Sequence, residues 1–236
     1  MPGDQPHAPT AGSDGLRRVV VLAGGDPVQL PLPRPLPHPI DLVIAADGGY
    51  DAAARLAVAV DVLVGDLDSV SPDGLATAHT AGTRIDRHPA DKDRTDLALA
   101  LDTITADGPA EVLLLGGHGG RLDHLLANVA LLAAPEYGTL RITALLGPAV
   151  VTVLRDRATL LGRPGELVSL LAMHGPAHGV TTTGLRFPLA SATLPVGSSL
   201  GVSNEFTGSH ATVTVTDGVL VAVQPGEPDT TDPAPH

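Results

Sequence analysis

The stretch VDVLVGDLDSV, Val60–Val70, sets a short branched apolar run against two carboxylates, Asp66 and Asp68. The run is too short for a helix and reads as a strand buried on both faces, as in a parallel α/β sheet. Carboxylates at its end cannot enter that core, so they stand at the sheet margin. In open parallel sheets that margin, outside the carboxyl ends of the strands, is where ligands bind.

The same pattern recurs outward in both directions. RRVVVLAGG (17–25) and PIDLVIAADGG (39–49) read as earlier strands, and YDAAARLA (50–57) as a short helix. DLALALDTITADG (96–108) reads as a capped helix, AEVLLLGGHGG (110–120) as a strand, and RLDHLLANVALLAAPEYG (121–138) as a helix ending before Gly138. From about Leu140 the pattern changes to short strands: LRITALL, VVTVLR, ELVSLLAM, GVTTTGL, ATVTVT and GVLVAV. VTVTDGVLVAV predicts a hairpin turning at Asp217-Gly218. The expected fold is an α/β domain with a mostly parallel sheet over 17–138, then an all-β, sandwich- or barrel-like domain over 139–224. Residues 1–16 read as a disordered leader and 225–236 as a similar tail. LPLPRPLPHP (30–39) reads as an extended connector.

Composition narrows the chemistry. The chain has 236 residues and is 43% hydrophobic but only 2% aromatic, without Trp, so its core is aliphatic. Against 26 acidic side chains stand 14 Lys and Arg, a net charge of −12. That balance argues against nucleic-acid or anionic-membrane surfaces, which are held by clustered cations. An anionic substrate would need a metal ion or a local cationic pocket. The absence of cysteine excludes disulfides, thiolate catalysis and cysteine zinc sites. No apolar run reaches the length of about 18 residues that spans a bilayer, and the N-terminus lacks a signal-peptide pattern. A cytoplasmic location is the simplest expectation.

Acidic residues gather at element ends. Asp47 follows one strand and Asp66 and Asp68 another; Asp93 and Asp96 open a helix; Arg121 and Asp123 follow the glycine-rich GGHGG. From an extended segment Asp66 and Asp68 would point the same way and share one cation. Asp is also a common cap and turn residue. Four crowded clusters at successive element ends nonetheless repel unless something neutralises them, and Mg²⁺ bridging substrate phosphates does so with oxygen ligands. The single lysine, Lys92, sits inside PADKDRTD (89–96), where an ammonium suits phosphate as a point charge. GGHGGR lacks the Lys-Ser/Thr pair of a Walker A loop, but Gly119 and Gly120 can offer backbone N–H groups to phosphate at a helix start. His118 and His124 flank that loop without metal-type spacing. No GxSxG elbow is present.

AADGGYDAA (45–53), VGDLDSV (64–70), DKDRTDLALAL (91–101) and GGRLDHLLANVALL (119–132), followed by GVTTTGLRFPL (179–189) and GVSNEFTG (201–208), resemble the thiamine pyrophosphokinase family. The resemblance runs from about Val19 to Val223. It implies a catalytic α/β domain, a thiamine-binding β domain and a homodimer with active sites between subunits. It also implies ATP as co-substrate, and Mg²⁺ organised by Asp66, Asp68 and Asp96. Asp47, Lys92, Thr95, Arg121 and Asp123 match positions around the nucleotide phosphates, and Ser203 and Asn204 match the thiamine side. The reaction implied is ATP plus thiamine giving AMP and thiamine diphosphate. With no Trp to stack on thiamine, Phe187 or Phe206 could substitute, or aliphatic packing could hold the rings. A pyrophosphokinase of another alcohol, such as a hydroxymethylpterin, and a non-catalytic nucleotide-binding module of the same fold are the alternative readings.

Overall fold

A computed structural model of the chain describes residues 15–91 and 93–226; Lys92 and most of the two terminal segments lie outside the described residues. The first half runs β1 (Arg17–Ala23), β2 (Leu42–Ala46), α1 (Ala53–Leu56), β3 (Val62–Gly65), α2 (Pro72–Ala81), β4 (Arg84–Arg87), α3 (Asp96–Ala106), β5 (Ala110–Leu115) and α4 (Leu122–Leu132). The second half is β6 (Leu140–Leu146), β7 (Ala149–Leu154), β8 (Arg157–Leu161), β9 (Leu167–Thr183), β10 (Ala192–Leu194), β11 (Asn204–Glu205), β12 (His210–Thr214) and β13 (Asp217–Gln224).

Strands β4-β3-β2-β1-β5-β6 pair in parallel, in that order. β7 turns back antiparallel on β6, and β13, β9, β12 and β8 continue antiparallel. β6 therefore completes the parallel sheet, although the sequence reading grouped it with the β-rich half. Alternation within β1 explains the two-sided burial. Val19 and Val21 join Leu101, Ile104 and Leu132 on one face, while Val20 and Leu22 join Tyr50, Leu63 and Ala78 on the other. A third cluster, with Leu170, Val180, Phe206, Val213 and Leu220, fills the β-rich half. Each such side chain, fully buried, contributes about 1.5–3 kcal/mol.

Three features depart from the expected pattern. α2 and β4 were not anticipated, although Ser71 caps α2 by accepting from Gly74 N, Pro72 opens it and left-handed Gly82 ends it. The expected hairpin at Asp217-Gly218 does not form, since β12 and β13 are not paired with each other. Both instead pair with β9, β12 over Thr181–Thr183 and β13 between Ser169 and His178. ELVSLLAM and GVTTTGL belong to this one continuous strand, and its length lets it separate two segments that the local turn signal would join.

Candidate active site

The sheet order places β1 between β2 and β5, so the loops after β1 and β5 leave in opposite directions, a topological switch point. The two loops are laced together. Gly117 N donates to Gly24 O at 2.9 Å and Asp26 N to His118 O at 2.8 Å. Gly25, at φ +134°, admits this approach, because a Cβ there would lie 2.1 Å from His118 O. Around this seam opens a cleft of about 1210 Å³. Asp47, Asp66, Asp68, Thr95, Asp96, Gly119, Gly120, Arg121 and Asp123 all line it. His118 and His124 line it too.

Within the cleft, one oxygen each from Asp47, Asp66 and Asp68 lie within 4.8 Å of one another. Among the described residues this trio differs from the expected one, with Asp47 in place of Asp96. Asp96, in the first turn of α3, lies against Gly65 and Asp47: a Cβ on Gly65 would be 2.9 Å from Asp96 Oδ1 and 3.1 Å from Asp47 Cβ. The route by which Asp66 and Asp68 meet also differs. β3 ends at Gly65, and Leu67 takes a left-handed φ of 68°, so a turn rather than extended alternation brings the two together. Asp47 is itself at φ 47°. Left-handed non-glycine residues cost of order 1–3 kcal/mol each and cluster at functional sites.

Electrostatics at Asp47 follow from its position. It is 9% exposed, and burial pushes its carboxyl above the ordinary range; nearby Asp96 adds to the rise. Ser69 and the Gly48 N–H oppose it by hydrogen bonding. A buried carboxylate among acidic neighbours favours either a proton or a cation. An all-oxygen donor set fits a hard cation such as Mg²⁺ rather than a softer metal.

At the other wall Arg121 stands just before α4 and binds Asp123 with two N–H donors, at 3.2 and 2.6 Å. Both side chains are exposed, and the guanidinium holds Asp123 down at about 2. Sequence reasoning missed Asp26, Asp51, Arg55 and Asn128, which also line the cleft. Asp26 was findable, since it follows β1 as Asp47 follows β2. Arg55, an exposed cation on the short α1, carried no signal.

Ser203 and Asn204 are not at this cleft within the chain. Ser203 N donates to Ser169 Oγ at 3.1 Å. The Asn204 side chain is 6% exposed. Its amide grips the Phe187 backbone, accepting from Phe187 N at 3.0 Å and donating to Phe187 O at 2.8 Å. Phe187 is thereby presented 58% exposed, with the Arg186 guanidinium 5.3 Å from its ring centre. Phe206, the other aromatic considered, is 2% exposed and packed over Gly162, so its ring belongs to the core.

Comparison with known proteins follows the two halves. The family model "Thiamin pyrophosphokinase, catalytic domain" matches residues 36–144, and "Thiamin pyrophosphokinase, vitamin B1 binding domain" matches residues 156–220. The thiamine pyrophosphokinase of Bacillus subtilis is 25% identical over 219 residues, covering 89% of this chain and 99% of that protein. Thiamine pyrophosphokinase 1 of Oryza sativa is 28% identical over 228 residues, covering 84% of each. The crystal structure of a thiamin pyrophosphokinase family protein from Enterococcus faecalis superposes with a TM-score of 0.74 at 26% identity, covering 90% of this chain and all of that one.

Proposed function

The chain belongs to the thiamine pyrophosphokinase family, and from that membership we propose that it transfers the diphosphoryl group of ATP to the hydroxyethyl oxygen of thiamine, releasing AMP. The observation that carries this reading is the meeting of Asp47, Asp66 and Asp68 in a cleft at the sheet's switch point. The vitamin B1 binding match over 156–220 favours thiamine over a pterin alcohol, and the intact acidic cluster speaks against a non-catalytic module.

Phosphoryl chemistry asks a protein chiefly to position groups and to neutralise charge. Asp47, Asp66 and Asp68 would hold Mg²⁺, with Asp96 beside them. When bound, such an ion screens the negative charge of the polyphosphate. Gly119 and Gly120, just before α4, offer backbone N–H groups, and Arg121 adds a planar donor fork. Lys92, by sequence, supplies a compact charge to the same phosphates. The parallel-sheet half, through β6, serves as the catalytic domain and the β-rich half beyond it as the thiamine-binding domain. Phe187 offers an exposed aromatic face to the thiamine rings. Since Ser203 and Phe187 do not line the cleft of their own chain, a homodimer that brings a second copy's β-rich half to it is the arrangement that unites them. Among the described residues no helix is long and apolar enough to cross a membrane, and we assign the enzyme to the cytoplasm.

The test is direct. Incubation with ATP, Mg²⁺ and thiamine should give thiamine diphosphate and AMP in equal amounts. Release of ADP instead, or product from a hydroxymethylpterin but not from thiamine, overturns the reading.

A further inference from the structure

Arg94 lies between β4 and α3, inside the acidic stretch, yet its side chain does not line the cleft. Its Nε and Nη2 donate to the two carboxylate oxygens of Asp102 at 3.1 and 2.5 Å. Nη2 also reaches the Tyr137 hydroxyl oxygen at 2.8 Å and Glu136 at 3.1 Å. The Tyr137 hydroxyl, accepting from Arg94, donates onward to Asp102 at 3.0 Å. One guanidinium thus joins three pieces of chain: the segment before α3, the body of α3, and the 3-10 turn Pro135–Tyr137 beyond α4.

Stability is a poor explanation of this junction. The Arg94 and Asp102 side chains are 39% and 42% exposed, and partly exposed pairs contribute little. What a two-point guanidinium–carboxylate contact adds is geometric definition. The residues that follow Arg94 show where that definition is needed. Thr95 Oγ1 accepts from Ala98 N at 3.2 Å to cap α3, and Asp96 then lies against Gly65 and Asp47. A shift of the helix start would carry Asp96 away from the acidic trio.

We propose that Arg94 is a positioning residue for the diphosphoryl transfer, clamping the start of α3 through Asp102 and Tyr137 so that Thr95 and Asp96 stand at the cleft beside Asp47. The kinetic part rests on the functional reading above; the metal-binding part does not. The experiment uses the full chain and measures steady-state kinetics alongside Mn²⁺ binding by electron paramagnetic resonance. Arg94→Met is expected to lower kcat about ten-fold, the size typical of supports behind metal ligands. It should leave the thiamine KM within about two-fold and weaken Mn²⁺ binding about ten-fold, at the low end of the same range. Arg94→Lys keeps the charge without the fork and should recover only part of the loss. Should Arg94→Met fail to fold, Tyr137→Phe removes one hydroxyl and should weaken Mn²⁺ binding in the same direction; unchanged Mn²⁺ binding there overturns the clamp. A folded Arg94→Met with wild-type turnover and Mn²⁺ affinity, whatever its melting temperature, also overturns it. A wild type that binds Mn²⁺ but makes no thiamine diphosphate overturns the functional reading alone.

Discussion

The Arg121 guanidinium holds the Asp123 carboxylate two residues along, with Nε and Nη2 each donating to a separate oxygen. The donor fork that suits a phosphate is therefore occupied by a neighbour on the same helix start. Incoming phosphate must compete with Asp123 or share the guanidinium with it. Asp123→Asn weakens the neighbour's hold and frees the Arg121 fork for phosphate. We expect the KM for ATP to fall about ten-fold, the equivalent of about 1.4 kcal/mol in apparent binding. The thermal midpoint should not move, because both partners are exposed. Steady-state kinetics and a melting curve check this; an unchanged KM removes Arg121 from the phosphate site.

Asp66 and Asp68 share a cation in the proposed site. Asp66→Asn and Asp68→Asn should each lower turnover by at least about a hundred-fold at limiting Mg²⁺, since loss of a ligand exceeds the roughly 10–100-fold typical of losing a partner behind one, while circular dichroism stays unchanged. Near-normal rates in either variant would remove the metal from that pair.

Asp47 gives a pH prediction. Its carboxyl titrates above the unfolded value, so ionisation disfavours the folded state. The deficit is complete above the folded value, narrows as pH falls through it and vanishes below the unfolded value. Asp47→Asn should therefore melt a few degrees higher than wild type at neutral pH without metal, and the gap should close in acid. Mg²⁺ should stabilise wild type at neutral pH and leave Asp47→Asn unchanged. Melting curves across pH with and without Mg²⁺ decide it, and a variant that melts lower at neutral pH would show that the carboxylate is already compensated.

Gly65 sits at φ +144°, where a Cβ would press on Asp96 and Asp47. Gly65→Ala should cost about 1–3 kcal/mol in urea unfolding from backbone strain. It should also lower kcat, since relief of the clash moves the carboxylates. Full activity in a destabilised variant would mean that the strain is absorbed away from the cluster.

Much of this was readable in advance. Buried strands such as Val19–Leu22 carry apolar residues on both faces, and that signal is local. The Asp66 and Asp68 positions followed from a strand end. Other features depend on contacts distant in sequence. The union of Asp47 with Asp66 and Asp68 needs the left-handed Leu67, which has no composition signal. The lost hairpin at Asp217-Gly218 depends on β9 lying between its arms. Asn204 was assigned to the thiamine side through the family resemblance alone; that its amide binds the Phe187 backbone is a contact no local pattern announces. Only Asp26, at the end of β1, was within reach of the argument that found Asp47.

The proline-rich connector has a mechanical consequence. Asp26 and Val28 line the cleft, and a few residues later Arg34 Nη2 donates to Leu161 O at 2.9 Å, beside Gln224. The rim of the cleft is thus tethered to the far sheet. Swinging the two halves apart like jaws would have to tear Arg34 from that carbonyl. The mouth of the cleft and the strand end at Leu161 are therefore joined through one guanidinium, and a change at one end of that link reaches the other.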